Sequence, residues 1–147
     1  MRKNIIVALV LVCAVTLCAC AIRPAQGSSG DKILLGREEV SEPVLEWAES
    51  KADGAEGVFR KTFGEWDAYV VLMGEKPTAG YVVRVENAGM SGGKVWIVDV
   101  VFESPAPGDM VAEVITYPYE VFSVPKGTPV KVRSVQPDGS TVDLTIK

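Results

Sequence analysis

Apolar and polar positions along the chain change period three times. After a short positive opening, Met1-Arg2-Lys3-Asn4, the chain runs apolar from Ile5 to Ala19 with Thr16 as the one polar interruption. A run of that length fits the hydrophobic region of an export signal and falls short of the ~20 residues that a spanning helix needs. Residues 21–32 are rich in Gly, Ser, Pro and Ala, too poor in apolar side chains to pack, and predict a flexible tether over 20–32. A helical period follows. Ser41-Glu42-Pro43 supplies a cap residue and an early proline, and Val44, Trp47 and Ala48 share one face. That predicts one helix over Glu42–Ala52, stopping at Asp53-Gly54, with Trp47 on its buried side.

Beyond Gly57 the period becomes two. Trp66, Ala68, Val70 and Leu72 alternate with Asp67 and Tyr69, and Tyr81, Val83 and Val85 with Arg84 and Glu86. Trp96, Val98, Val100 and Phe102 form a wholly apolar face that should be buried together. The other face of that strand is mixed, with Val95, Ile97, Asp99, Val101 and Glu103. Val130 and Val132 alternate with Lys131 and Arg133, and Val142, Leu144 and Ile146 with Thr141, Asp143 and Thr145. Alternation of this kind marks antiparallel strands with one face on a core. Turns are expected at Gly89–Gly93 and Pro137-Asp138-Gly139. The fold class is therefore mainly β with some α, an antiparallel sandwich or half-barrel with one helix N-terminal to the main sheet. One β-rich domain should occupy 33–147.

Composition then removes whole classes of chemistry. The chain of 147 residues contains no histidine, and its three cysteines are Cys13, Cys18 and Cys20. Ser-His-Asp and Cys-His catalysis lose their base, and most zinc sites lose their ligands. The formal charge of −4 becomes more negative if the leader is removed, since that takes only Arg2 and Lys3. Nucleic acid is an unsuitable partner for such a surface, and so is a polybasic contact with anionic lipid. Glu38-Glu39, Glu46–Glu49 and Glu65–Asp67 are the carboxylate pairs, but no pattern in the sequence sets any of them across a cleft. There is no run of alternating oxygen ligands for calcium. The expectation is a protein without enzymatic activity, cofactor or metal.

Three loops have compositions that strands do not need: Gly74–Tyr81, Ser104–Met110 and Thr116-Tyr117-Pro118-Tyr119. Pro and Gly can stiffen a loop, and a rigid loop carrying Tyr loses little entropy on contact. Lys76, Pro77, Thr78, Gly80, Tyr81, Asp109, Tyr117, Pro118 and Tyr119 are the candidate partner-binding residues. The Gly74–Tyr81 and Tyr117–Tyr119 segments should lie together. Alternation puts Tyr81 in phase with Val83 and Val85, so Tyr81 and Tyr119 can point either outward or into the core, and Lys76, Thr78 and Tyr117 are the safer exposed positions.

Two resemblances bear on these residues. The junction Leu17-Cys18-Ala19-Cys20 resembles the lipobox of bacterial lipoproteins, with a small residue before the cut and a thiol after it. It implies removal of 1–19 as a lipoprotein signal peptide and lipidation at Cys20, which would hold the domain on the outer side of a bacterial cell membrane. The stretch Leu72–Tyr81, with Ser104–Val111 and Thr116–Tyr119 to Lys126, resembles the PrcB C-terminal domain family. Where that family usually has Gly this chain has Ala79, a departure that would restrict the turn if the position required a positive φ. The resemblance implies a small secreted or lipid-anchored β-rich domain associated with a surface protease complex, and brings no catalytic residues. Pro77-Thr78-Ala79-Gly80-Tyr81 is also similar to a loop of chagasin-like cysteine-protease inhibitors, β-sandwiches that insert three loops into the protease cleft. Gly108 and Tyr117-Pro118-Tyr119 are the rough counterparts of the other two loops.

The sequence reading is thus a membrane-anchored extracytoplasmic binding module whose expected partner is another surface or secreted protein, a protease on the family resemblance. The alternatives are an envelope lipoprotein binding glycan or peptidoglycan through exposed aromatics, and a chagasin-like inhibitor.

Overall fold

A computed structural model describes residues 32–147. The export run, Cys20 and nearly all of the expected tether lie outside the described residues. After β1 (Leu34–Leu35), the chain enters α1 (Glu42–Ala52). Ser41 is extended (φ −75°, ψ 154°) and starts the helix through its carbonyl, which accepts from Val44 N at 2.9 Å and Leu45 N at 3.2 Å; its side chain makes no capping bond. Seven strands follow: β2 (Gly57–Phe63), β3 (Trp66–Leu72), β4 (Val82–Ser91), β5 (Val95–Glu103), β6 (Tyr119–Pro125), β7 (Val130–Val135) and β8 (Thr141–Leu144).

They form two four-stranded sheets, ordered β1-β6-β3-β2 and β4-β5-β7-β8. The arrangement is a sandwich with the helix laid on the outer face of the first sheet. Two apolar clusters result. Between the sheets lie Val58, Tyr69, Val71, Phe122 and Val124 from one side and Val83, Trp96, Val98, Val100 and Val132 from the other. The Tyr69 and Phe122 rings stack at 5.0 Å between centroids, 6° from parallel. Under the helix, Val40, Val44, Trp47 and Ala48 meet Ala68, Val70, Leu72 and Val121. The helical spacing thus marked the buried face correctly.

The structure corrects the strand pattern in several places. β3 is buried on both faces, Ala68 through Leu72 being inaccessible, because sheet two covers one side and α1 the other. Asp67 and Tyr69, expected opposite the core face, are buried as well. Asp67 accepts the Thr62 hydroxyl at 2.5 Å and the Gly127 amide at 3.0 Å. Burial opposes ionisation of this carboxyl, but those two donors, with Arg60 and Lys126 nearby, outweigh it and hold its pKa below the ordinary value.

The second sheet is not purely antiparallel, because β5 and β7 pair in parallel, from Trp96↔Val130 to Val101↔Val135. Between them the chain crosses into the first sheet as β6 and returns, so two reversals restore its direction. Asp99 and Arg133 face each other across this pair and form a two-pronged ion pair, 2.7 and 2.9 Å, which accounts for an aspartate in an apolar strand. Phe102 packs on the inter-sheet cluster but is only half-buried, unlike Trp96, Val98 and Val100. Val142, expected on the core face, is 52% exposed. Strands β1, β2 and β6 carry no clean alternation and were not delimited by the pattern. The turn expected over Gly89–Gly93 narrows to residues 92–94, since β4 runs on to Ser91. The open edge of β2 is covered by the last residues: Lys147 N donates to Val58 O (2.8 Å) and Arg60 N to Lys147 O (3.1 Å).

Candidate functional site

The register of sheet one fixes which loops can meet. Leu72 lies opposite Tyr119, so the chain leaving β3 and the chain entering β6 part from the same end of the sheet. From there Gly74–Tyr81 runs beside Thr116–Pro118 as a short irregular ribbon. Met73 N donates to Pro118 O (3.0 Å), and Lys76 and Thr116 exchange both backbone bonds, 2.9 and 3.0 Å. The Thr116 hydroxyl donates to Thr78 O at 2.9 Å. The connection between β5 and β6 joins the same assembly. Ala79 N donates to Ala112 O (3.0 Å), and Gly80, at φ 90°, passes so close that an added Cβ would lie 3.1 Å from both Pro105 Cγ and Val111 Cγ1. Only glycine meets both conditions at position 80. Ala79 does not take a positive φ, so its departure from the resembling pattern leaves the turn unstrained. Within the second loop, Asp109 closes a turn by accepting the Ala106 amide at 2.8 Å.

The sequence-predicted residues are therefore largely brought together, with different exposure from that expected. Pro77, Gly80 and Asp109 are exposed, whereas Lys76, Thr78, Tyr117 and Pro118 are half-buried. The Tyr117 hydroxyl donates to Glu75 Oε2 at 3.1 Å, and this bond and the carboxylate charge raise its pKa. The Lys76 ammonium stands 5.9 Å from the Tyr81 ring centroid, near the limit of a cation–π contact. Tyr81 itself packs on the inter-sheet cluster, in phase with Val83 and Val85.

Tyr119 leaves the group. It packs in the layer under the helix, with the Arg37 guanidinium 4.1 Å from its ring centroid. Its buried hydroxyl has no hydrogen-bond partner among the described residues. Burial is the main reason its pKa is raised; Arg37 opposes the shift and Glu49 adds to it. Tyr81 and Tyr119 thus stand in different layers and do not form a paired surface. Nor do the tryptophans offer a stacking platform, since Trp47 and Trp96 are buried and Trp66 half-buried.

Several residues exposed at this end were not among the candidate contact residues. Met110, Val114 and Ile115 are 103%, 51% and 57% exposed, and Val82, immediately after Gly74–Tyr81, is 43% exposed. The run Val111-Ala112-Glu113-Val114-Ile115 contains no Gly or Pro, so turn chemistry does not mark it. It is in fact the outer margin of the loop assembly.

At the other end of β3 is an open cleft of about 580 Å³, lined by Arg60, Tyr69, Thr128, Pro129, Val130 and Ile146. Burial raises the Tyr69 pKa and Arg60 beside it opposes the rise. The Lys147 ammonium at its edge is 5.3 Å from the Phe59 ring centroid, in the layer under the helix. Among the described residues no group of three or more Asp, Glu, Cys or His is placed to hold a metal, and no helix is long and apolar enough to cross a membrane.

All three loops fall inside one segment recognised by comparison. Residues 68–125 match the PrcB C-terminal family. The PrcB-like segment runs from the centre of β3 to the end of β6 and so contains the whole loop assembly. The helix, β2 and the pair β7–β8 lie outside it. No curated protein and no solved structure matches the chain.

Proposed function

We propose that this chain is an extracytoplasmic partner module of a surface protease, held at the membrane by lipid on Cys20 and contacting its partner through the loop assembly. The observation that carries the reading is the coincidence just described. The PrcB-like segment includes Gly74–Tyr81, Ser104–Met110 and Thr116–Pro118, and the fold gathers these at one end of the sandwich. The family is associated with a protease complex. Lys76, Pro77, Thr78, Gly80, Asp109, Tyr117 and Pro118 are the contact residues in this reading. Tyr81 supports them from beneath, and Tyr119 is withdrawn from the set.

In this reading the module assists or restrains a protease; the absence of histidine removes the base that Ser-His-Asp and Cys-His hydrolysis would need. A chagasin-like inhibitor would also use three loops at one sandwich end, so the direction of the effect is an outcome of the test. The glycan reading, by contrast, called for exposed aromatic faces, and the aromatics of this end are half-buried.

The test is capture of the native partner from solubilised envelope on the full chain, identified by mass spectrometry, followed by assay of any captured protease with and without the chain. A secreted or surface protease, lost when Lys76→Ala and Tyr117→Ala are combined, is expected. Retention of the same partner at undiminished affinity by the folded double variant would place the contact elsewhere. Intact-mass analysis of the membrane fraction checks the anchor: residues 1–19 should be absent and an acyl adduct present on Cys20.

A further inference from the structure

Four of the six large apolar side chains that the described residues expose lie at the loop end: Val82, Met110, Val114 and Ile115. Isolated exposed apolar residues need no explanation, but a concentration in one region marks a contact surface. The backbone there is also unfinished. Ala112 and Thr116 are tied to Ala79 and Lys76, and Val114 N donates back to Ala112 O (3.0 Å) in a tight bend across Glu113, while the amides and carbonyls of Glu113 and Ile115 make no backbone hydrogen bond among the described residues. The inner margin of this ribbon is therefore paired and the outer margin is open. Charge adds direction. Glu75, Asp109 and Glu113 are exposed at this end, Arg84 is held by Glu103, and Lys76 is half-buried beside Tyr81.

We infer that the open margin of residues 112–116 takes up an extended segment of the partner protein, one in which basic residues alternate with apolar ones. The free amide and carbonyl of Ile115 would pair with its backbone, and those of Glu113, at the bend, would bond it where the ribbon turns. Met110, Val114 and Ile115 would cover its apolar side chains, and Asp109 and Glu113 would face its cations. Backbone pairing supplies affinity in this mode and the alternating side chains supply selection. The negative loop end would speed the approach of a positive segment and reject an acidic one. This rests on the interaction reading above and adds the chemistry of the partner.

The experiment uses the full chain in detergent and two labelled peptides of eight residues. One alternates lysine with valine or isoleucine, and the other replaces each lysine by glutamate. Fluorescence anisotropy should show the basic peptide binding at least tenfold more tightly than the acidic one. Ile115→Ser combined with Met110→Ser should weaken it at least tenfold, at an unchanged unfolding midpoint. Glu113→Lys, which leaves the apolar patch intact, should reduce the preference for the basic peptide several-fold. Equal binding of both peptides, or no effect of these folded variants, overturns the inference. The native capture separates the two claims. A protease captured equally by wild type and the Ile115→Ser, Met110→Ser variant overturns the inference and leaves the interaction reading standing. Tight, variant-sensitive peptide binding without any captured protease supports the inference and defeats the protease reading.

Discussion

The space between the two sheets and the loop end of the same molecule are held by different forces. Between the sheets, Val98, Val100, Phe122 and Val124 are completely inaccessible, and what holds them is apolar burial and close packing. At the loop end the ties between segments are mainly between main-chain groups, Lys76 with Thr116, Ala79 with Ala112 and Met73 with Pro118, joined by the Thr116 hydroxyl on Thr78 O. Gly74 is the one buried residue of loop one, and every side chain from Glu75 to Tyr81 keeps some exposure. Side-chain identity therefore sets the interior, whereas backbone geometry sets the loop end. The lesson concerns function. A surface whose shape is fixed by its main chain can have its side chains selected for a partner without loss of the fold.

The comparison breaks first at the interior. Phe122→Ala should cost about 3–5 kcal/mol, read from denaturant unfolding, because it removes a fully buried ring stacked on Tyr69. Phe102→Ala, at a half-buried position, should cost roughly half as much. Equal costs for the two would mean that burial does not rank these sites. The loop end has one position where backbone shape and packing coincide. Gly80→Ala should cost about 1–3 kcal/mol through its positive φ and its crowding against Pro105 and Val111. A neutral result would show that the loops can separate cheaply.

Acid sharpens the contrast, since the end of β3 opposite the loops depends on an ionised carboxylate. Asp67 has a folded pKa below its ordinary 3.8, so its contribution is fully present above that value and is lost as pH falls through the lower, folded one. Wild type should therefore lose stability more steeply than Asp67→Asn as pH falls from about 3.8 through the lower, folded value. Parallel pH profiles for the two proteins would remove Asp67 from the account. The smallest effect is expected at Tyr117. Tyr117→Phe should leave the denaturant midpoint essentially unchanged, since it loses only an exposed bond to Glu75. Glu75→Gln should bring the Tyr117 pKa back down, which an NMR titration of the ring protons would follow. A large loss of stability from Tyr117→Phe would show that side chains hold the loop end after all.

What the sequence determined by itself is what local period and backbone chemistry can encode. Val44, Trp47 and Ala48 defined the helix and its buried face, and Asp53-Gly54 its end. Trp96, Val98 and Val100 defined a core strand, and Pro and Gly marked loops that do gather at one end. The tertiary structure decided what depends on neighbours distant in the chain. Whether Asp67 and Tyr69 face water depended on a helix covering the second face of β3, which alternation within β3 could not record. The parallel pairing of β5 with β7 depended on a return through the other sheet. At the loop end, β6 directs Tyr119 into the layer under the helix, while Val114 and Ile115, unmarked by Gly or Pro, stand exposed. Exposure belongs to a side chain and its surroundings together, and those surroundings come from chain crossings that no local pattern contains.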